Sequence, residues 1–159
     1  LRPSVVFGPE DEFFNRFAAL AQLSPALPLI GGGKTKFQPV FCGDVAKAVM
    51  ASLTGKAKAG AVYELGGPEI LTMKEVMERV LAYTMRKRWL VPLPFFLAKL
   101  QGAVLQLLPN PPLTAGQVDL LKMDNVADGT LPGLRELNIM PKAVEEVVPT
   151  YLGSTQSRG

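Results

Sequence analysis

Histidine is absent from all 159 residues. That removes histidine-based catalytic triads and imidazole ligands for a metal. Metal binding would rest on carboxylates alone, and the sequence clusters none for it. Cysteine occurs once, as Cys42, so no intramolecular disulfide can form, in keeping with a reducing compartment. Charge is sparse: 17 basic and 14 acidic residues leave +3. That excess is too small to argue for nucleic acid, yet it is compatible with an acidic membrane surface. No apolar run reaches the ~20 residues that a bilayer-spanning helix needs.

What is present is a greasy, globular composition, 48% apolar. The length suits one domain that buries roughly two-thirds of its unfolded surface. The chain opens on Leu1-Arg2-Pro3-Ser4-Val5-Val6-Phe7, in which Leu1 and Ser4-Val5-Val6-Phe7 are apolar or β-favouring, cut off by Gly8-Pro9 and two acids. This predicts a buried strand running into a turn, with a helix from Asp11 or Glu12 onward. A chain that opens inside a core strand reads as the back half of something longer; an ordinary edge strand is the plainer alternative.

Strands and helices then alternate. Apolar spacing predicts helices over residues 12–23, 45–53, 73–85, 94–108, 115–123 and 142–152, and strands over 27–30, 36–41, 61–65 and 88–92. The first helix turns Phe13, Phe14, Phe17, Leu20 and Ala21 inward; the second turns Val45, Ala48, Val49 and Ser52 or Leu53 inward. Asp44 is placed as the cap of the second helix and Thr114 as that of the fifth, while Thr72 and Glu75 form a capping box before the third. Pro149 should bend or stop the last helix. Gly31-Gly32-Gly33-Lys34-Thr35 ends like a phosphate loop. That loop requires a glycine where Pro28 stands, so a hairpin turn is expected instead.

Residues 94–108 are apolar over most of a helix circumference, with only a narrow polar stripe of Lys99, Gly102 and Gln106. At roughly 22 Å such a helix cannot cross a bilayer. Three placements stay open: core, subunit interface or membrane interface. The Arg86-Lys87-Arg88 cluster ahead of it reads as a solvated helix end complementing the dipole, with an anionic partner as the alternative. Pro109-Asn110-Pro111-Pro112 reads as a rigid connector.

Arg2-Pro3-Ser4-Val5-Val6-Phe7-Gly8-Pro9 resembles the strand that follows the catalytic Tyr-x-x-x-Lys helix in extended and atypical short-chain dehydrogenase/reductase proteins. With Pro-Leu-Ile-Gly-Gly-Gly-Lys-Thr-Lys-Phe-Gln-Pro-Val-Phe at 28–41 and Leu-Leu-Pro-Asn-Pro-Pro-Leu-Thr at 107–114, the chain is most similar to one branch. That branch is the Rossmann-type accessory subunit of respiratory complex I and its bacterial relatives. The resemblance implies an α/β fold: the helix-rich, carboxy-terminal, substrate-side part of an extended short-chain dehydrogenase, lacking the amino-terminal nucleotide-binding half. On that reading residues 1–152 form the substrate-side region and 153–159 a disordered tail.

The resemblance also implies function. The chain would be a fragment of an NAD(P)-binding accessory subunit of NADH:ubiquinone oxidoreductase, with a structural or assembly role. The alternative parent is an NAD(P)-dependent epimerase, dehydratase or reductase acting on a nucleotide-sugar or similar small molecule. Pro3, Ser4 and Val5 match the positions whose backbone lies beside the nicotinamide, and are the only cofactor-binding residues carried over. NAD or NADP is expected in the intact parent and none on this chain alone, with no catalytic or metal-binding residue. Implied partners are other complex I subunits, with membrane-surface contact and self-association through the amino-terminal strand left open, and no nucleic acid. The implied location is cytoplasmic, peripheral to a bacterial inner membrane, or on the mitochondrial matrix side in a eukaryote.

Tyr83 and Lys87 reproduce the Tyr-x-x-x-Lys spacing that would let a lysine lower a tyrosine pKa across one helix face. In the family that pair precedes the Arg-Pro-Ser-Val-Val strand, whereas here it follows by about eighty residues, so it is rejected. Asp11, Glu12 and Arg16 are the acid/base groups nearest the expected cleft.

Overall fold

The computed structural model describes residues 1–107, 109 and 115–153. Along the chain run β1 (Arg2–Pro3), β2 (Val6–Phe7), α1 (Phe14–Leu23), β3 (Ala26–Ile30), β4 (Lys36–Phe37), β5 (Val40–Phe41) and α2 (Cys42–Leu53). There follow β6 (Glu64–Leu65), β7 (Leu71–Thr72), α3 (Met73–Tyr83), β8 (Trp89–Leu93), α4 (Phe95–Leu105), α5 (Ala115–Leu120) and α6 (Val144–Leu152). The strands pair in twos. β1–β6, β2–β5 and β3–β8 are parallel, and β4–β7 is antiparallel. Parallel pairs joined by helical crossovers are the signature of an α/β fold.

The opening strand is not continuous. The chain bends at Val5, where its partner changes from β6 to β5: Ser4 N–H donates to the Leu65 carbonyl, and the next carbonyl, that of Val5, accepts from Val40 N–H. Nor is it buried as expected. Leu1, Arg2, Pro3 and Val6 are exposed, and only Phe7 is sealed in the core. β1 pairs through the amides of Arg2 and Ser4 with one neighbour, and Pro3 between them has no N–H to offer an opposite strand.

The largest core is helical. α3 carries Val76 and Val80 into a cluster with Phe7, Phe14, Val148 and Leu152, while its Met77 and Leu81 reach Leu27 and Leu29 of β3. One helix therefore seals two clusters. The capping box forms as predicted, with Glu75 N–H on the Thr72 hydroxyl at 3.2 Å and Thr72 N–H on the Glu75 carboxylate at 2.9 Å. α6 runs on through Pro149 to Leu152, so the proline does not stop it.

Other expectations shift. α2 starts three residues earlier than predicted, which puts Asp44 in its first turn rather than at its cap. The buried face of α2 is Asp44, Ala48 and Ala51, leaving Val49 and Leu53 exposed. In α1 the fully buried residues are Phe14, Ala18 and Ala21. The triple-glycine turn is not a hairpin, since β3 pairs with β8 and β4 with β7. All three of its glycines have positive φ. At Gly31 a side chain would strike the Phe95 ring 2.3 Å away, so glycine here lets α4 start against the turn.

α4 departs most from a core placement. Ala98 packs with Val118 of α5 and Ile30 of β3, but Phe96, Leu97, Leu100 and Val104 face solvent. Asp119 ties the two helices, accepting from Lys99 and Lys122 at 3.0 Å each. Those two lysines, hydrogen-bonded to it, hold its carboxyl below the usual range. The Thr35 hydroxyl donates to the Leu121 carbonyl, anchoring α5 to β4. Thr114 and the 110–112 part of the connector lie outside the described residues, as do 154–159 of the tail.

Candidate functional site

In parallel α/β sheets ligands bind beyond the carboxy ends of the strands. Here those ends are Ser4 and Val5 after β1, and Gly66 and Gly67 after β6. A strap over residues 124–133 crosses them. Asn125 sits at its start: its N–H donates to Lys36 at 2.8 Å, and its carbonyl accepts from both Gln38 N–H at 3.0 Å and the Ser4 hydroxyl at 2.8 Å. Further along, Asp128 N–H donates to the Glu64 carboxylate at 3.1 Å, and Glu64 N–H returns to Pro132 at 2.9 Å. The strap closes on itself through Asp128, whose carboxyl is held below its usual range by the Thr130 hydroxyl and amide.

Gln38 is the hinge between strap and sheet. Its side-chain amide donates to the Gly67 carbonyl at 2.9 Å, and its side-chain oxygen accepts from Ala127 N–H at 3.0 Å. This needs glycine at 66 and 67. A Cβ on Gly66 would fall 2.4 Å from the Gln38 amide carbon, and one on Gly67 would fall 1.7 Å from the Pro39 carbonyl oxygen.

Pro3 is exposed, and Ser4 and Val5 are half-buried at the foot of this arrangement. The Ser4 amide, the Ser4 hydroxyl and the Val5 carbonyl are all committed within the chain. The three residues are thus contiguous with the strap, and their shape is fixed by it.

Asp11 stands at a second corner, beyond the end of β2. Its carboxylate accepts from Gly8 N–H at 3.1 Å, Asn15 N–H at 3.0 Å and the Tyr151 hydroxyl at 2.5 Å. Burial first, and then the bond to Asp11, push the Tyr151 hydroxyl well above its ordinary range. A carboxylate held by three donors is poorly placed to shuttle protons, and this one clasps α6 to the start of α1. Glu12 is exposed and Arg16 half-buried. Asp44 is fully buried, accepting from Lys142 N–H at 2.8 Å and Lys47 Nζ at 3.1 Å. It locks the start of α6 to α2.

Tyr83 and Lys87 do not share a helix face. α3 ends at Tyr83, and Met85 beyond it takes a left-handed φ of 52°. Burial raises the Tyr83 pKa; its charged neighbours are Arg79, Glu145 and Glu69. Among the described residues no three acidic or cysteine side chains gather as a metal site. Sequence reasoning missed Gln38, Asn125 and Tyr151. The Gly66-Gly67 pair after a strand was the signal that a backbone or side chain comes close there.

No protein-family model matches the chain. Curated proteins do. It is 35% identical over 153 residues to NADH dehydrogenase (ubiquinone) 1 alpha subcomplex subunit 9, mitochondrial, of Arabidopsis thaliana, covering 89% of this chain and 38% of that protein. The Mus musculus protein of the same name is 31% identical over 147 residues, covering 91% and 39%. This chain is a homologue of complex I subunit 9. It spans about 40% of the length of these relatives.

Solved structures agree on the fold. A dTDP-glucose 4,6-dehydratase from Streptomyces venezuelae with NAD bound matches 99% of this chain and 43% of its own, at TM-score 0.64 and 17% identity. UDP-glucuronic acid 4-epimerase from Bacillus cereus, in complex with UDP-glucuronic acid and NAD, matches 97% and 44% at TM-score 0.55 and 17% identity. The fold is therefore α/β and Rossmann-like, matching part of the NAD-dependent epimerase and dehydratase structures.

Proposed function

We propose that the chain is the carboxy-terminal, substrate-side region of an NAD(P)-binding, short-chain-dehydrogenase-like accessory subunit of NADH:ubiquinone oxidoreductase. Its role there is structural: residues 1–152 brace a nucleotide-holding subunit within the complex, next to the other subunits. The observation that carries this reading is the 35% identity across 89% of the chain to a subunit 9 protein. The site supports it. Asp11 and Asp44, which would be its acid/base candidates on burial alone, are both locked in hydrogen bonds that join helices. Pro3, Ser4 and Val5 would form one wall beside a nicotinamide whose phosphates are held by the other part of the parent.

The test is blue-native electrophoresis of membranes from the source cell, probed for this chain. It should migrate with NADH:ubiquinone oxidoreductase activity, and deletion should lower the assembled complex. Migration away from that activity would overturn the proposal. Calorimetric titration of the chain by itself with NADPH should show no binding, since the walls of the site supplied elsewhere are missing; tight binding would overturn the division of labour.

A second reading, a working epimerase or dehydratase acting on a nucleotide-sugar, is favoured by the two sugar-nucleotide enzymes that match the fold. An intact Tyr-x-x-x-Lys and serine ahead of Leu1 in the parent would select it.

A further inference from the structure

α2 is uncovered on one side and grooved beside it. On a wheel of 100° per residue, Ala46, Val49, Met50 and Leu53 fall within an arc of roughly 100°, opposite the buried Asp44, Ala48 and Ala51. All four are exposed, Met50 to 59% and Leu53 to 77%. At the edge of that arc Ala46, Met50 and Thr54 stand one turn apart and make a ridge about 12 Å long. Facing the ridge is the segment 137–139, whose Leu137 and Ile139 belong to the same core cluster as Ala48 and Ala51. Between them lies an open groove of about 500 Å³, with the buried Ala51, Leu137 and Ile139 as its floor.

The far wall is fixed in place. Asn138 takes a left-handed φ of 60°, and beyond it Ile139 N–H returns to the Leu134 carbonyl at 2.9 Å. The groove is therefore preformed, which lowers the ordering cost of filling it.

The charges around it have one sign. Lys47 and Lys56 stand on its rim, and no carboxylate lines it. Residues 42–60 hold three bases, Lys47, Lys56 and Lys58, and one acid, Asp44. That acid is fully buried, so it offers solvent no negative charge, while the side chain of Lys47 bonded to it stays 58% exposed.

Shape and charge together select the occupant. A ridge with a one-turn repeat beside a parallel trough is the surface that a second helix packs into. The apolar floor calls for an apolar stripe on that helix, and the rim lysines call for carboxylates beside the stripe. A second copy of α2 would bring lysine to lysine, and a flat lipid surface would leave the trough unfilled. We propose that the groove between α2 and residues 137–139 is the docking site for an acidic amphipathic helix of another protein. The inference takes nothing from the family relationship and stands apart from the proposed function.

Fluorescence anisotropy with a labelled synthetic peptide tests it. The probe has fifteen residues, with leucine at positions 1, 5, 8, 12 and 15, glutamate flanking that stripe and alanine behind it. It should bind the purified protein saturably, and the same peptide with lysine in place of glutamate should bind at least tenfold more weakly. Met50→Glu, which sets a carboxylate on the ridge, should weaken binding of the acidic peptide at least tenfold, and Lys56→Glu at least threefold. Leu100→Glu, an exposed apolar site on α4, should leave it unchanged. All three variants replace solvent-facing side chains, and circular dichroism confirms their folding. The inference is overturned if the acidic peptide does not bind, if the lysine peptide binds as tightly, or if Met50→Glu binds like the wild type. Loss of binding in Leu100→Glu would put the peptide on α4 and overturn it too. It falls equally if the peptide does not bind while Met50→Glu abolishes a dimer seen by light scattering or an attachment to phosphatidylglycerol vesicles.

Discussion

α3 and α4 are both eleven residues long and both rich in large apolar side chains, yet they behave oppositely. α3 concentrates its apolar residues on one side, and Met73, Val76, Met77, Val80 and Leu81 are all buried. α4 spreads them around its circumference, and only Ala98 and Gly102 are buried. Apolar content therefore does not decide burial. Direction does: a helix with a polar face can be covered completely by one neighbouring layer, whereas one without must find two.

The comparison can be broken with one pair of substitutions. Phe14→Ala empties a fully buried site in the cluster that α3 seals, and should cost about 3–5 kcal/mol. Phe96→Ala removes the same ring from the outer arc of α4 and should change stability by no more than about 0.5 kcal/mol. Urea midpoints measure both. If the two losses were equal, α4 would be covered in the isolated protein and the contrast would fall.

A smaller effect tests whether the strap belongs to the rigid region. Gly67→Ala places a methyl group 1.7 Å from a backbone oxygen that cannot move without opening β5. The cost should be about 3 kcal/mol, and amide exchange should quicken at Ala127 as the Gln38 bridge is lost. Unchanged exchange there would mean that strap and sheet are not coupled. Asp44→Ala comes next. It strips the Lys142 N–H of its acceptor and empties a fully buried side-chain position, and should cost about 1–3 kcal/mol. Asp44→Asn should recover part of that, because an amide oxygen can still accept.

How much of this was legible beforehand follows from where each feature gets its cause. The α3 capping box was readable because donor and acceptor are three residues apart. The alternation of strand and helix was readable for the same local reason. Tyr83 and Lys87 were set aside only for their place along the chain relative to the family, and the break at Met85 that keeps them off one helix face was not foreseen. Asp44 was misplaced because its main partner is 98 residues away. The 1–7 strand was read as one piece because Leu1 and Ser4-Val5-Val6-Phe7 are apolar or β-favouring. Nothing in it shows that β6 and β5 claim successive halves. Gln38 and Asn125 are single polar residues in short segments, and their role exists only once four strands have been brought together. α4 left three placements open because an all-round apolar pattern carries no direction.

The last effect is the smallest and tests the clasp that α4 lacks. Tyr151 of α6 donates to Asp11 ahead of α1, so Tyr151→Phe should loosen the α1–α6 contact by about 1 kcal/mol at neutral pH. Its pH dependence identifies the cause. The hydroxyl ionises at a higher pH in the folded protein than its ordinary value of 10.0, so above pH 10 the unfolded chain gives up that proton first. The stabilisation is complete below pH 10 and is lost as pH climbs beyond it. Wild-type protein should therefore lose stability from pH 10 upward more steeply than Tyr151→Phe, the two curves converging as the pH rises. Parallel curves would assign the alkaline loss elsewhere. Converging ones would show that α6 is held at its carboxy end by a protonated phenol, an anchorage with no counterpart on α4, whose Asp119–Lys99 tie is exposed to solvent and screened by it.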